Sequence, residues 1–255
     1  MAAIRGGSVR QAARIRFFLA SRPEWWTLAI CATAWAVLTG REFGGISGHH
    51  PVDPGTSVLL SAWMQNTADW LLMVAAMMLP VVVFSIRVSA ARSLWRRRHR
   101  AIGGFLIGYI GPWVVMGAGL AGVAVEIGLE RWLHGLPWLA GAGFGVAAAW
   151  HLAPARQRAV RGCHRTAPLA PDGWRADRDC LHFGWSTGCQ CLISCWALMV
   201  ACVLAGHTLA AMAGATTLAV AERYFVRARQ RIAFGPLLSL GLVYGVLGLA
   251  ATQSG

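Results

Sequence analysis

The feature that most constrains this chain is a series of apolar runs, each long enough to cross a bilayer, separated by clusters of arginine. A transmembrane helix needs roughly 17 to 25 predominantly apolar residues. Such runs lie at about 24–40, 63–86, 101–129, 136–153 and 236–252. The stretch 188–221 is too long for one ordinary span and a little short for two. With 56% hydrophobic and 13% charged residues, little sequence remains for a soluble domain.

Charge placement decides how 188–221 is read. The net charge of +13 rests on arginine alone, since the chain has no lysine. A basic chain of this kind first suggests nucleic acid. Here, however, the arginines gather between the apolar runs, so no nucleic-acid partner is expected. They cluster between Arg5 and Arg22, Arg87 and Arg100, Arg156 and Arg178, and Arg223 and Arg231. Cytoplasmic loops collect arginine. If 188–221 is a hairpin of two short helices turning near Gly206-His207, all four clusters fall on one side. If it is a single span, the last cluster is stranded outside. The expectation is an all-α polytopic transmembrane bundle of about seven spans (six in the alternative), N-terminus cytoplasmic and C-terminus outside. Residues 1–23 form an Arg-rich cytoplasmic segment without the apolar core of a cleaved signal peptide. Residues 24–255 form one transmembrane domain, with 154–187 as its longest extramembrane loop.

Gly104-xxx-Gly108, Gly141-xxx-Gly145 and Gly241-xxx-Gly245 place small residues on helix faces. Such faces allow close approach within the chain or in a homo- or hetero-oligomer. Pro80 should kink the second span and free a carbonyl that a neighbour must satisfy. Trp25, Trp26, Trp63, Trp70, Trp132 and Trp138 read as an interfacial belt around a lipid bilayer. No phosphate loop, HExxH motif or nucleophile elbow is present, so no catalytic residue is assigned and enzyme activity stays open.

The segment GCQCLISCWALM, Gly188 to Met199, concentrates thiols. At about 100° per residue, Cys191, Cys195 and Cys202 fall within roughly 40° of one another on a helix. Cys189 lies off that stripe, at what would be the fraying start of span five. Cys163 and Cys180 fall in the preceding cytoplasmic loop. A reducing compartment disfavours disulfides, and clustered thiols there more often serve metals or catalysis. Thiolates and thioethers select Cu(I), and four thiolates also suit zinc, so Cu(I) is favoured. Met73 and Met77 form an i, i+4 pair on span two with Met78 beside them, and His207 stands at the hairpin turn. Cysteine and methionine also pack as ordinary core residues. Asp69 and Glu126 lie toward the outer side, and His49-His50 with Asp53 in an outer loop form a weaker candidate pair for a divalent metal.

Several blocks carry a resemblance. WLLMVAAMMLP, Trp70 to Pro80, fits W-x-x-M-x-x-AMMLP, and FLIGYIGPW, Phe105 to Trp113, fits F-x-x-GY-x-x-x-W. GWSTGCQCLISCWALM, Gly184 to Met199, fits G-x-x-x-G-x-x-CLGCCWALM. Residues 150–165 and Glu222-Arg223 fit further blocks, with His151 where glutamine is usual. Over about 63–250 the chain resembles domain-of-unknown-function family 2182, bacterial integral membrane proteins predicted to bind metal. The resemblance implies a multi-pass protein of the bacterial inner membrane, with Cys163, Cys191 and Cys195 as ligand candidates and Met73, Met77 and Met78 behind them. Ser194 replaces the middle one of three usual cysteines, which puts a three-thiolate site in doubt.

Three functions fit. The leading one is a metal-binding membrane protein that takes Cu(I) at the cytoplasmic mouth of span five, through Cys189, Cys191, Cys195, Cys163 and Cys202 with Met73, Met77 and His207. It would exchange metal with a donor or acceptor protein. The alternatives are a membrane thiol oxidoreductase using Cys191 and Cys195, and a non-catalytic subunit of a membrane complex.

Overall fold

The computed structural model describes residues 22–44, 56–128, 138–163 and 165–224, and positions 235, 237–239, 241–244 and 246. Its regular structure is helical throughout, with no strand among the described residues. The helices are α1 (Trp25–Gly44), α2 (Thr56–Met78), α3 (Val83–Ala91), α4 (Arg98–Ile127), α5 (Leu139–Leu152), α6 (Pro154–Cys163), α7 (Gly173–Leu204) and α8 (Leu209–Tyr224). Short 3-10 turns, Pro80–Val82 and Trp95–Arg97, precede α3 and α4.

Two stretches, Trp95–Ile127 and Gly173–Leu204, are long and apolar enough to cross a membrane. Leu59–Met78 and Pro80–Ala91, bent by 44°, make a third if they form one span. α5 is apolar but only 14 residues long. α4 buries Phe105, Tyr109 and Trp113 and exposes Ile107, Val115, Val123 and Ile127. An outward apolar face of this length suits hydrocarbon better than water.

Two helices run in the same direction and form the centre. α4 and α7 approach until backbone meets backbone. A Cβ on Gly108 would overlap the Leu181 carbonyl and lie 2.9 Å from Trp185 N. A Cβ on Gly184 would overlap the Phe105 carbonyl, and one on Gly188 would lie 2.5 Å from the Tyr109 carbonyl. Only glycine permits this spacing. α2 runs against α4: Trp70 Nε1 donates to the Trp113 carbonyl at 3.0 Å and Trp63 Nε1 to that of Ala118 at 2.9 Å. Trp70 is therefore a core residue and not part of a belt. Gly241 packs on Gly141 and Gly145, so that glycine face is also used within the chain, while Gly245 lies outside the described residues.

The expected kink occurs at Pro80. Proline lacks an N–H, so the carbonyl four residues back, that of Ala76, loses its helical donor. Trp35 Nε1 donates to it at 2.9 Å and the Cys31 thiol at 3.3 Å. Tyr224 then donates its hydroxyl to the Pro80 carbonyl at 3.0 Å.

The turn near Gly206-His207 is also as expected, with both residues at positive φ, 68° and 58°. The segment before it differs. The expected 154–187 loop is mostly helix: α6, a short connection, and the first half of α7. Apolar sequence begins near 188, but α7 starts at Gly173 because its first turns bury Ala176, Cys180, Phe183, Gly184 and Thr187 on one face. Asp177 pairs there with Arg97 at 2.7 Å and Arg100 at 2.8 Å. Cys180 is thus a packed helical residue beside Gly104, not a loop thiol. Arg87 bonds Glu24, Arg92 the Ala167 carbonyl and Arg223 the Cys163 carbonyl, which gathers the described arginine clusters at one end of the bundle.

Gly184→Ala should cost about 1–3 kcal/mol through overpacking, read as a lowered thermal unfolding midpoint in detergent. Gly103→Ala, whose Cβ meets nothing within 4 Å, should leave the midpoint unchanged or raise it.

Candidate functional site

The α4–α7 contact sets the position of the sulfur atoms. With Gly188 against Tyr109, the Tyr109 side chain reaches one helical turn along α7, and its hydroxyl meets Cys191 Sγ at 3.2 Å. Cys191 Sγ also lies 4.0 Å from Met78 Sδ. Met78 is placed there by the end of α2, one residue before the Pro80 bend begins. All three side chains are buried, with Cys191 2% exposed and Tyr109 and Met78 fully enclosed.

Cys195 follows one turn on, half-buried, and its thiol interacts with that of Cys191. Ser194 ties the group together. Its hydroxyl donates to the Cys191 carbonyl at 2.9 Å and contacts Cys195 Sγ at 3.4 Å. Cys163, at the end of α6, comes within reach of the Ser194 and Arg223 side chains. Burial pushes the Cys163 thiol up to about 11, against the lowering effect of Arg223.

A charged network adjoins the thiols. Arg156 bonds Glu222 at 2.5 Å, His151 bonds the other Glu222 oxygen at 2.8 Å, and Arg156 Nε reaches the Ser194 carbonyl at 3.2 Å. These contacts join α5, α6, α7 and α8 around the cysteines. The unusual His151 of the sequence is one of its members.

The structure thus brings together Cys191, Cys195, Cys163 and Met78. It does not bring in the rest of the candidate set. Cys189 sits in the middle of α7 rather than at a fraying end, about 200° around the helix from Cys191. Cys202 is fully buried further along α7. His207 lies on the order of 20 Å along the axis from Cys191, on the Asp69 side. Burial holds its imidazole below the usual range, against the raising effect of Asp69. Met73 and Met77 are fully buried, but it is Met78 that touches the thiol. His49-His50 and Asp53 lie outside the described residues. The thiols lie mid-helix, because α7 starts at Gly173, well before the apolar sequence begins near 188. Among the described residues, no three His, Cys, Asp or Glu side chains form a group that could hold a metal ion.

Tyr109 and Arg156 were not singled out as site residues from sequence, whereas Glu222 and His151 were noted there as ionisable groups able to serve a metal or proton path. Tyr109 sits in the FLIGYIGPW block, and that block was the available signal.

The family described as PpoB2, copper chaperone, matches residues 67–250. The chain belongs to that copper chaperone family. The match spans all the residues of the sulfur cluster, from Met78 to Cys195, and the network beside it. The chain matches no curated protein and no solved structure. Membership points to copper handling, and thiol with thioether is the donor chemistry that selects Cu(I).

Glu222→Gln leaves Arg156 buried without a counter-charge and should destabilise the protein by about 3–5 kcal/mol, measured by thermal unfolding in detergent. Cys163, with its thiol pushed up to about 11, should resist iodoacetamide at neutral pH in the folded protein. Its alkylation should rise as pH climbs from 9 toward 11, or at once on unfolding.

Proposed function

We propose that this chain is a multi-pass membrane protein that binds Cu(I) between Cys191 and Met78 and passes it to a partner by way of Cys195 and Cys163. The observation that carries this is the buried Cys191–Met78 contact at 4.0 Å. Two sulfurs each about 2.3 Å from one ion, taking the zinc–thiolate length as a guide, stand roughly 3.8 to 4.6 Å apart for angles from tetrahedral to linear. The observed separation falls in that range without movement of either helix. Cu(I) accepts few, soft ligands, so a thiol and a thioether suffice where, among the described residues, no three His, Cys, Asp or Glu side chains form a metal-holding group. Tyr109 holds the Cys191 sulfur toward Met78. Cys195 and Cys163, joined through Ser194, then provide thiols at successive positions toward α6. This centre draws on neither Cys189, Cys202, Met73, Met77 nor His207.

The copper is cargo, and binding it to a thiol releases a proton. The membrane reading keeps seven spans in a bacterial inner membrane with the arginine-rich end in the cytoplasm. It is supported by the long apolar stretches and by the gathering of arginines at one end.

Protein purified anaerobically in detergent and loaded with Cu(I) under reducing conditions should carry near-stoichiometric copper by mass spectrometry. Cys191→Ser and Met78→Leu should each lower Cu(I) affinity against a competing chelator, and Cys195→Ser should slow transfer more than it weakens binding. Wild-type protein that holds no copper, or unchanged affinity in Cys191→Ser, overturns the assignment. A periplasm-dependent phosphatase fused after Tyr224 should be inactive, and one inserted at Gly206 active.

A further inference from the structure

α6 carries two opposite charged faces. Its inward arginine, Arg156, is 3% exposed and paired with Glu222. Its outward arginines have no such partner. Arg158 and Arg161 fall within about 60° of one another at helical spacing, and Arg165, beyond the helix end, lines the same cleft. No ion pair or side-chain hydrogen bond engages any of them among the described residues. They line an open cleft of about 600 Å³ between α6 and α7, completed by Ala155, Gln190 and Ile193.

Three guanidinium groups converging on one cleft repel one another unless an anion sits between them. The walls indicate which anion. Ala155 and Ile193 make one side apolar, and Ile193 is 42% exposed. Only Ala153 separates α6 from the apolar helix α5. Trp150, at the end of α5, donates its indole N–H to the Ile193 carbonyl at 2.9 Å and stacks edge-on with Trp196 at 5.4 Å. The cleft thus combines cations, an apolar wall and a neighbouring tryptophan pair, the combination that suits the polar–apolar boundary of a bilayer.

We propose that the α6–α7 cleft binds the phosphate headgroup of an anionic phospholipid, with Arg158, Arg161 and Arg165 on the phosphate and Ala155 and Ile193 along the first carbons of the chains. A lipid held there braces α6 against α7 on the side opposite Arg156. It presses Gly162 toward Gln190, whose Oε1 already lies 2.8 Å from where a Cβ on Gly162 would stand. The site is independent of copper.

The test uses full-length protein in detergent, titrated with phosphatidylglycerol or phosphatidylcholine and read by native mass spectrometry. Wild type should retain phosphatidylglycerol in preference to phosphatidylcholine. Arg158→Gln/Arg161→Gln/Arg165→Gln should bind it roughly a hundredfold more weakly, at about fivefold per arginine. The corresponding triple lysine variant, which keeps the charge, should retain the preference and serves if the glutamine variant fails to fold. Equal retention of the two lipids by wild type, or undiminished phosphatidylglycerol binding in a folded glutamine variant, overturns the proposal. Displacement of the lipid by an equal concentration of inorganic phosphate assigns the cleft to a free anion and overturns the lipid assignment.

Discussion

The structure depends on one contact, the backbone-to-backbone approach of α4 and α7 across Gly108, Gly184 and Gly188. With carbonyls lying where side chains would otherwise stand, the two helices have essentially one register. That register decides which residue of α7 faces Tyr109, and so which cysteine receives its hydroxyl. A helix pair held by larger side chains could slide by a fraction of a turn with little penalty. Interlocked glycines leave no such freedom, because each shift drives a carbonyl into a Cα.

The remaining helices complete an enclosure around that pair. α2 brings Met78 to the thiol from one side and is itself held by tryptophan indoles bonded to α4 carbonyls. α5, α6 and α8 close the other side through Arg156, Glu222 and His151. Charges placed this deep are costly alone and tolerable as a saturated set. In this set His151, Arg156 and Glu222 come from three helices and Arg156 also bonds the Ser194 carbonyl of a fourth, so the network ties four helices together around Cys195 and Cys163.

Much of this was legible in sequence, and the limits have physical causes. The long apolar runs, the Pro80 break and the turn at Gly206-His207 each leave a local mark, in length, ring chemistry or composition. The extent of α7 does not. Its first turns are polar, and they are helical because one face packs on α4, a tertiary effect that hydropathy along the chain cannot register. The same blind spot displaced Cys180 and Cys189 from their true settings. Helical periodicity put Cys191, Cys195 and Cys202 on one face, of which the structure brings the Cys191 and Cys195 thiols together, whereas telling which of Met73, Met77 and Met78 approaches Cys191 required the rotation of α2 relative to α7. Trp70 misled for the converse reason: tryptophan near a span end is common at interfaces, and only the facing Trp113 carbonyl and the space at Gly117 reveal a buried ring.

The Ala76 carbonyl has a bearing on how the chain assembles. A proline bend in a buried apolar helix leaves a polar oxygen that its apolar surroundings cannot solvate. Here the donors, Trp35 and Cys31, both belong to α1, the helix synthesised immediately before α2. The bend is therefore satisfied within the pair formed by α1 and α2. Met78, two residues beyond Ala76, is thereby positioned in part by contacts between helices adjacent in the sequence. The later helices α4 and α7 then pack against an α2 that α1 has already braced.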